Sequence, residues 1–152
     1  MTMRLTSPAF ASGQTIPSRF TCDGVNHSPP LRWEGAPGGT KSFALVCRDP
    51  DAPAGDWYHW ALFNIPHQAS GLDENRPPAG PDVAEGINDF RKPGYGGPCP
   101  PRGHGRHHYR FTLYALDVVR LDLPAGAPCR AVEAAAAEHA LATAELVGLY
   151  ER

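Results

Sequence analysis

Between Gly96 and Gly105 the chain places Gly96, Gly97, Pro98, Pro100, Pro101, Gly103 and Gly105. That density rules out both helix and interior strand, because proline withholds a donor and fixes one dihedral while glycine frees both. The segment must be a shaped loop. Directly downstream, Tyr109 to Leu116 is rich in Tyr, Phe, Thr and Leu, the composition of a strand buried on most of both faces. His104, His107 and His108 lie at the junction, so imidazoles sit where a rigid strand opens into a loop, a common position for binding groups.

The same punctuation runs through the whole chain. With 16 Gly and 17 Pro in 152 residues, turns are many and long helices few, which favours a β-rich single domain of ordinary size. A net charge of −2 without a Lys/Arg block gives no electrostatic footprint for nucleic acid or an anionic membrane surface. No run reaches membrane-spanning length, and Met1 to Pro8 lacks the apolar stretch of a signal peptide, so a cytoplasmic location is expected. Cys22, Cys47, Cys99 and Cys129 form no C-x-x-C motif, which excludes a zinc ribbon and a thioredoxin-type site. In a reducing cytoplasm all four read as buried thiols, although an even count would allow two disulfides in an oxidising compartment.

In chain order, the spacing predicts an edge strand and turn within 4–20 and a short strand around Leu31 and Trp33. A core strand follows from Ser42 to Asp49, with Phe43, Leu45 and Cys47 on one face and Ala44 and Val46 on the other. It stops at Asp49-Pro-Asp-Ala-Pro53, and Trp57 to Ile65 returns as its hairpin partner. Residues 66–93, with Pro77, Pro78, Gly80, Pro81 and Gly86, read as a long surface excursion. One more short strand is expected near Val118–Leu121. Six alanines with Glu133 and Glu138 predict a helix over 130–141. The segment 144–152 fits a last strand or a continuing helix, and Gly148 favours the strand.

Two distant segments share a character, a proline-fixed turn beside a histidine at the mouth of an aromatic strand: Asp49-Pro-Asp-Ala-Pro53 with Trp57-Tyr-His-Trp60, and Gly96-Gly-Pro-Cys-Pro-Pro101 with His107-His-Tyr109. Together with Ser7-Pro-Ala-Phe10, Thr21-Cys-Asp-Gly24, Ser28-Pro-Pro-Leu31 and Leu146-Val-Gly-Leu-Tyr150, they make the chain resemble, over nearly its whole length, the phosphatidylethanolamine-binding proteins, the family that includes the Raf kinase inhibitor protein, and especially its bacterial and archaeal branch. The resemblance implies a mainly β fold, an antiparallel Greek-key β-sandwich with one C-terminal helix and long Pro/Gly-rich loops. It also implies a small anion-accepting pocket whose lining matches Asp49, His59, Pro101, His107 and Tyr109, a small phosphorylated or anionic ligand, and a protein kinase or protease as a target in some relatives. Monomer or homodimer stays open, and no cofactor is expected. Headgroup preference does not carry over, because Ala54 stands where some eukaryotic members have an aromatic, and Arg106 and His108 alter the rim.

Residue chemistry points the same way. Imidazoles donate to phosphate oxygens, and charge-assisted bonds are about twice as strong as neutral ones. Asp49 is unsuited to touch a phosphate directly unless it orients or protonates a histidine, or accepts from a ligand ammonium or hydroxyl, and it is expected to hold His59 or meet the cationic part of a headgroup. Asp51 reads as a turn-stabilising Asx residue. Trp33, Trp57, Trp60, Phe43, Phe63 and Phe111 read as core. The cluster of His104, His107 and His108 with Asp49 and Asp51 raises a metal site, but its spacing matches no zinc signature, so no metal is expected and His104 and His108 are assigned to the solvated rim. No Gly-x-Ser-x-Gly element or P-loop is present. A non-catalytic binding module is therefore expected, with a small hydrolase using the histidines as acid and base, or a metal-binding protein, as the alternatives, and Cys99 is expected to be inert.

Overall fold

The computed structural model describes residues 2–76 and 80–152; Pro77 and Pro78, assigned above to the surface excursion, lie outside them. Among the described residues the strands are β1 (Arg4–Thr6), β2 (Leu31–Glu34), β3 (Ser42–Asp49), β4 (Trp57–Pro66), β5 (Gly71–Leu72), β6 (Ala84–Glu85), β7 (His107–Leu116) and β8 (Ala140–Tyr150). A single α-helix, α1 (Cys129–Glu138), is found among the same residues.

The strands form two antiparallel sheets, β1-β2-β5 and β6-β4-β3-β7-β8. After the β3–β4 hairpin the chain makes a long excursion and β7 returns to lie beside β3, the crossing that makes a Greek key. The period of two on β3 separates two cores. Phe43, Leu45 and Cys47 pack with Leu5, Leu31, Trp33 and Leu72 of the small sheet, while Ala44 and Val46 face Val132 and Ala136 of α1 and Leu121. With a sheet on one side and a helix on the other, β3 is buried along nearly all its length. That explains why its sequence is continuously apolar instead of alternating with polar residues. Each fully buried Leu or Phe contributes about 1.5–3 kcal/mol.

Three expectations change. Residues 118–121 form no strand: the Ser42 hydroxyl donates to the Val118 carbonyl (2.6 Å) and the Leu121 N–H donates to Asn64 Oδ1 (2.8 Å), so side chains take the groups a ladder would need. The helix ends at Glu138, and β8 starts at Ala140, paired with Leu116 of β7. Partner contacts there override the helix preference of alanine. The third change is at cysteine: Cys22 and Cys99, 77 residues apart, are joined in a disulfide, so two of the four are not thiols. Cys47 and Cys129 are free and buried. Burial raises both above the usual thiol range, Cys129 to about 12, leaving them without thiolate character.

Candidate functional site

The β3–β4 hairpin and the start of β7 meet at one end of the large sheet. The pairing of β3 with β4 shifts register where Cys47 faces Trp60 and Arg48 faces Tyr58, which leaves His59 as the extra residue of a bulge on β4, a device that re-aims side chains beside a site. Asp49, at the end of β3, is 3 % exposed. Its Oδ1 accepts the Asp51 N–H at 2.8 Å, and its Oδ2 accepts from His107 Nδ1 at 2.7 Å. A carbonyl or carboxylate partner fixes which imidazole nitrogen carries the proton, so His107 is held with Nδ1–H toward Asp49. Its Nε2 lies 2.6 Å from His104 Nδ1.

His59 stands on β4, 3 % exposed. Its Nδ1 donates to the Gly96 carbonyl at 2.6 Å, while the Gly96 N–H donates back to the His59 carbonyl at 2.9 Å. Burial lowers the pKa of His59, and the Gly96 carbonyl offsets this only in part, so the ring is neutral near pH 7. The rings of Phe90 and Tyr109 stand edge-on to it at 5.3 and 5.2 Å.

The proline loop closes the site because it is fastened at several points. The Gly97 N–H donates to Asn26 Oδ1, the Cys22 N–H to the Pro98 carbonyl, and Arg152 Nε to the Pro100 carbonyl, at 2.9, 3.1 and 2.8 Å; the disulfide adds a covalent tie. Gly97 is required for this approach, since a Cβ there would collide with the Phe20 carbonyl and the Asn26 side chain.

The result is a cavity of about 200 Å3 lined by Asp49, His59, Pro101, His107 and Tyr109, so all five sequence-predicted residues come together from three separate segments. Trp57, Phe90, Cys99 and Pro100 complete much of the wall. Most of that wall is apolar, which limits the polar groups able to orient a ligand to Asp49, the two histidines and the Tyr109 phenol, held neutral by burial.

Several assignments shift with the geometry. Asp49 holds His107 and not His59. It also makes the Asx-type contact expected of Asp51, whereas Asp51 Oδ2 accepts both the N–H and Nδ1 of His108, at 2.8 and 2.7 Å. His104 is exposed as a rim residue but bonded to the pocket histidine. Cys99, expected to be an inert thiol, has none. Trp57, read as core, is half-buried and lines the cavity, edge-on to Phe90 at 5.4 Å. Period-two spacing from His59 could have found Trp57, since the two share a strand face. Phe90 carried no local signal. It is held by Asn88, whose Oδ1 accepts the Phe90 N–H (2.9 Å) and whose Nδ2 donates to the Gly94 carbonyl (2.9 Å). Among the described residues no group of three or more His, Cys, Asp or Glu is placed to hold a metal ion.

The family model for phosphatidylethanolamine-binding protein matches residues 6–151. A UPF0098 protein from Methanothermobacter thermautotrophicus is 54% identical over 153 residues, 99% of each chain. The crystal structure of Escherichia coli YbcL, described as a new member of the mammalian family, superposes with a TM-score of 0.94 at 34% identity, covering 100% of this chain and 99% of that one. A homolog from Chlamydia trachomatis gives 0.89 at 39% identity, covering 99% and 98%. With the sequence matched almost end to end and the two-sheet fold shared, the chain belongs to the phosphatidylethanolamine-binding protein family.

Proposed function

We propose that the chain is a non-catalytic binding module that takes a small phosphate-bearing or otherwise anionic ligand in the cavity lined by Asp49, His59, Pro101, His107 and Tyr109. The observation that carries this reading is the buried Asp49–His107 contact at 2.7 Å beside a second, neutral histidine. These polar groups sit inside an otherwise apolar cup, the usual composition of a small-ligand site. A regulatory output on a protein kinase or protease, in the manner implied by the family, follows if ligand occupancy alters the surface around the rim.

The test is a titration with inorganic phosphate and with O-phosphorylethanolamine, following histidine ring signals by NMR. His59 and His107 should shift at millimolar ligand while His67 and His139 stay unchanged. Silence at both pocket histidines overturns the assignment.

The same Asp49–His107 contact favours a second reading, a small hydrolase with His107 as general base. Against it, His107 Nε2 meets His104 instead of a hydroxyl nucleophile, and Cys99 is tied in a disulfide. Turnover of a phosphoester or acyl ester that disappears in His107→Ala and His59→Ala would establish the enzyme.

The cytoplasm stays as the proposed location, and the Cys22–Cys99 bond bears on it, because such bonds persist mainly in oxidising compartments. Thiol trapping in intact cells decides: Cys22 and Cys99 alkylated supports the cytoplasm, and both protected places the protein outside it.

A further inference from the structure

The hydrogen-bond inventory of the cavity is weighted toward acceptors. His59 Nδ1 is committed as a donor to the Gly96 carbonyl, which leaves Nε2 as the nitrogen available to the cavity. Burial keeps that ring neutral, so Nε2 presents a lone pair. Asp49 presents only acceptor oxygens, each with a lone pair beyond the one used for Asp51 or His107. His107 has Nδ1–H directed to Asp49 and Nε2 against His104, and so brings no uncommitted donor while His104 is in place. The Tyr109 phenol is a donor on the wall. A fully deprotonated oxyanion brought into this cup would set its oxygens against a carboxylate and an imidazole lone pair. An oxyanion that still carries a proton would donate it there.

We propose that the cavity selects a phosphate by its P–O–H group, binding hydrogen phosphate or a phosphomonoester monoanion with His59 Nε2 and the Asp49 carboxylate as the proton acceptors. This rests on the cavity being the phosphate site proposed above. Sulfate, of the same shape and charge as hydrogen phosphate but without the proton, is discriminated against. A phosphodiester headgroup, which has no P–O–H, is discriminated against in the same way.

Calorimetry near pH 8, where a phosphomonoester has lost its second proton (pKa of about 6) and inorganic phosphate is mostly the hydrogen phosphate dianion, compares inorganic phosphate, which keeps a proton, with sulfate and methyl phosphate, which do not. Phosphate should bind about ten- to a hundredfold more tightly than either, the scale set by leaving a buried acceptor unpaired. Near pH 5.5, where methyl phosphate has regained one proton, it should close the gap to phosphate while sulfate stays behind. Glycerophosphoethanolamine, a diester with an ammonium, separates a lipid headgroup from both and should remain as weak as sulfate. In His59→Gln the gap between phosphate and sulfate should narrow, because the amide can turn its NH2 toward sulfate.

Equal affinity for phosphate and sulfate overturns the selection while leaving the pocket in place. Binding of the diester at the level of phosphate overturns it in favour of an ammonium donor. An unchanged gap in His59→Gln removes His59 from the role. Failure of phosphate itself to bind at millimolar concentration overturns the underlying pocket reading instead.

Discussion

Two aspartate–histidine contacts stand next to each other at the end of β3 and the start of β7. Asp49–His107 and Asp51–His108 have the same partners, the same Nδ1 to Oδ2 geometry and the same 2.7 Å distance. They differ in surroundings: the side chains of the first are 4% and 2% exposed, those of the second 40% and 47%. In water the attraction is screened and two flexible side chains must be ordered to gain it, so such a contact contributes little. In the buried site both groups have already lost their water, so the contact, with the Asp51 N–H on Asp49 and His104 on His107, replaces the solvent they gave up. Equal distances therefore mean unequal consequences. Strand alternation produces this difference, since successive residues of β7 point to opposite sides and the step from 107 to 108 is the step from pocket to solvent.

The comparison breaks most visibly at the buried carboxylate. Asp49→Ala should destabilise the fold by about 3–5 kcal/mol, the range for orphaning one member of a buried pair. It should also abolish phosphate-induced shifts at His107, as read by chemical denaturation and histidine NMR. A loss no larger than that of Asp51→Ala would remove the distinction between the two contacts.

Opening the Cys22–Cys99 tie asks whether the buried contact depends on the fastened loop. Cys22→Ser should lower stability by about 2–4 kcal/mol, as expected for removing a long covalent loop. It should move the ring signals of His107 and His104 while leaving His108 in place. If His108 moves as far, the loop does not discriminate between pocket and rim.

Acid sharpens the contrast through His59. Its folded pKa is depressed by burial, so as pH falls below the unfolded value of about 6.5 the unfolded chain takes up a proton that the folded one refuses. Stability should then fall by up to about 1.4 kcal/mol per pH unit from this group until the lower folded pKa is reached. His59→Phe should remove that portion of the slope in a pH series of melts.

The smallest effect belongs to the exposed pair. At Asp51, burial raises the pKa, but the His108 side-chain and backbone hydrogen bonds outweigh it and hold the carboxyl below its usual range. With both side chains substantially exposed, Asp51→Ala should still change stability by less than about 1 kcal/mol. Added salt should erase even that difference, which a denaturation series at low and high ionic strength would detect.

Much of the architecture was legible because it rests on local pattern. The two faces of β3, the hairpin into β4, the β7 strand and the proline loop all follow from periodicity and from residues that cannot do otherwise. The five wall residues were legible only through motifs recognised together. What sequence did not contain is the relation between segments. Asp49 reaches His107 because β3 pairs with β7 on one side and β4 on the other, and a one-residue change in register would have selected a different histidine. The Cys22–Cys99 bond depends on where two loops 77 residues apart in sequence end up. Phe90 enters the wall through a turn held by Asn88, and nothing near it in the chain distinguishes it from a surface aromatic. Where propensity and tertiary contact disagreed, at Ala140 to Ala144, the strand partner decided.

Trp57 gives the molecule an optical property of its own. Of the three tryptophans, Trp33 and Trp60 are buried in the core between the sheets, whereas the Trp57 indole forms part of the cavity wall beside Phe90. Its emission is therefore sensitive to what fills the cup, and Trp57→Phe supplies the blank. Occupancy can be followed in an unlabelled, untagged protein by the colour of its own fluorescence.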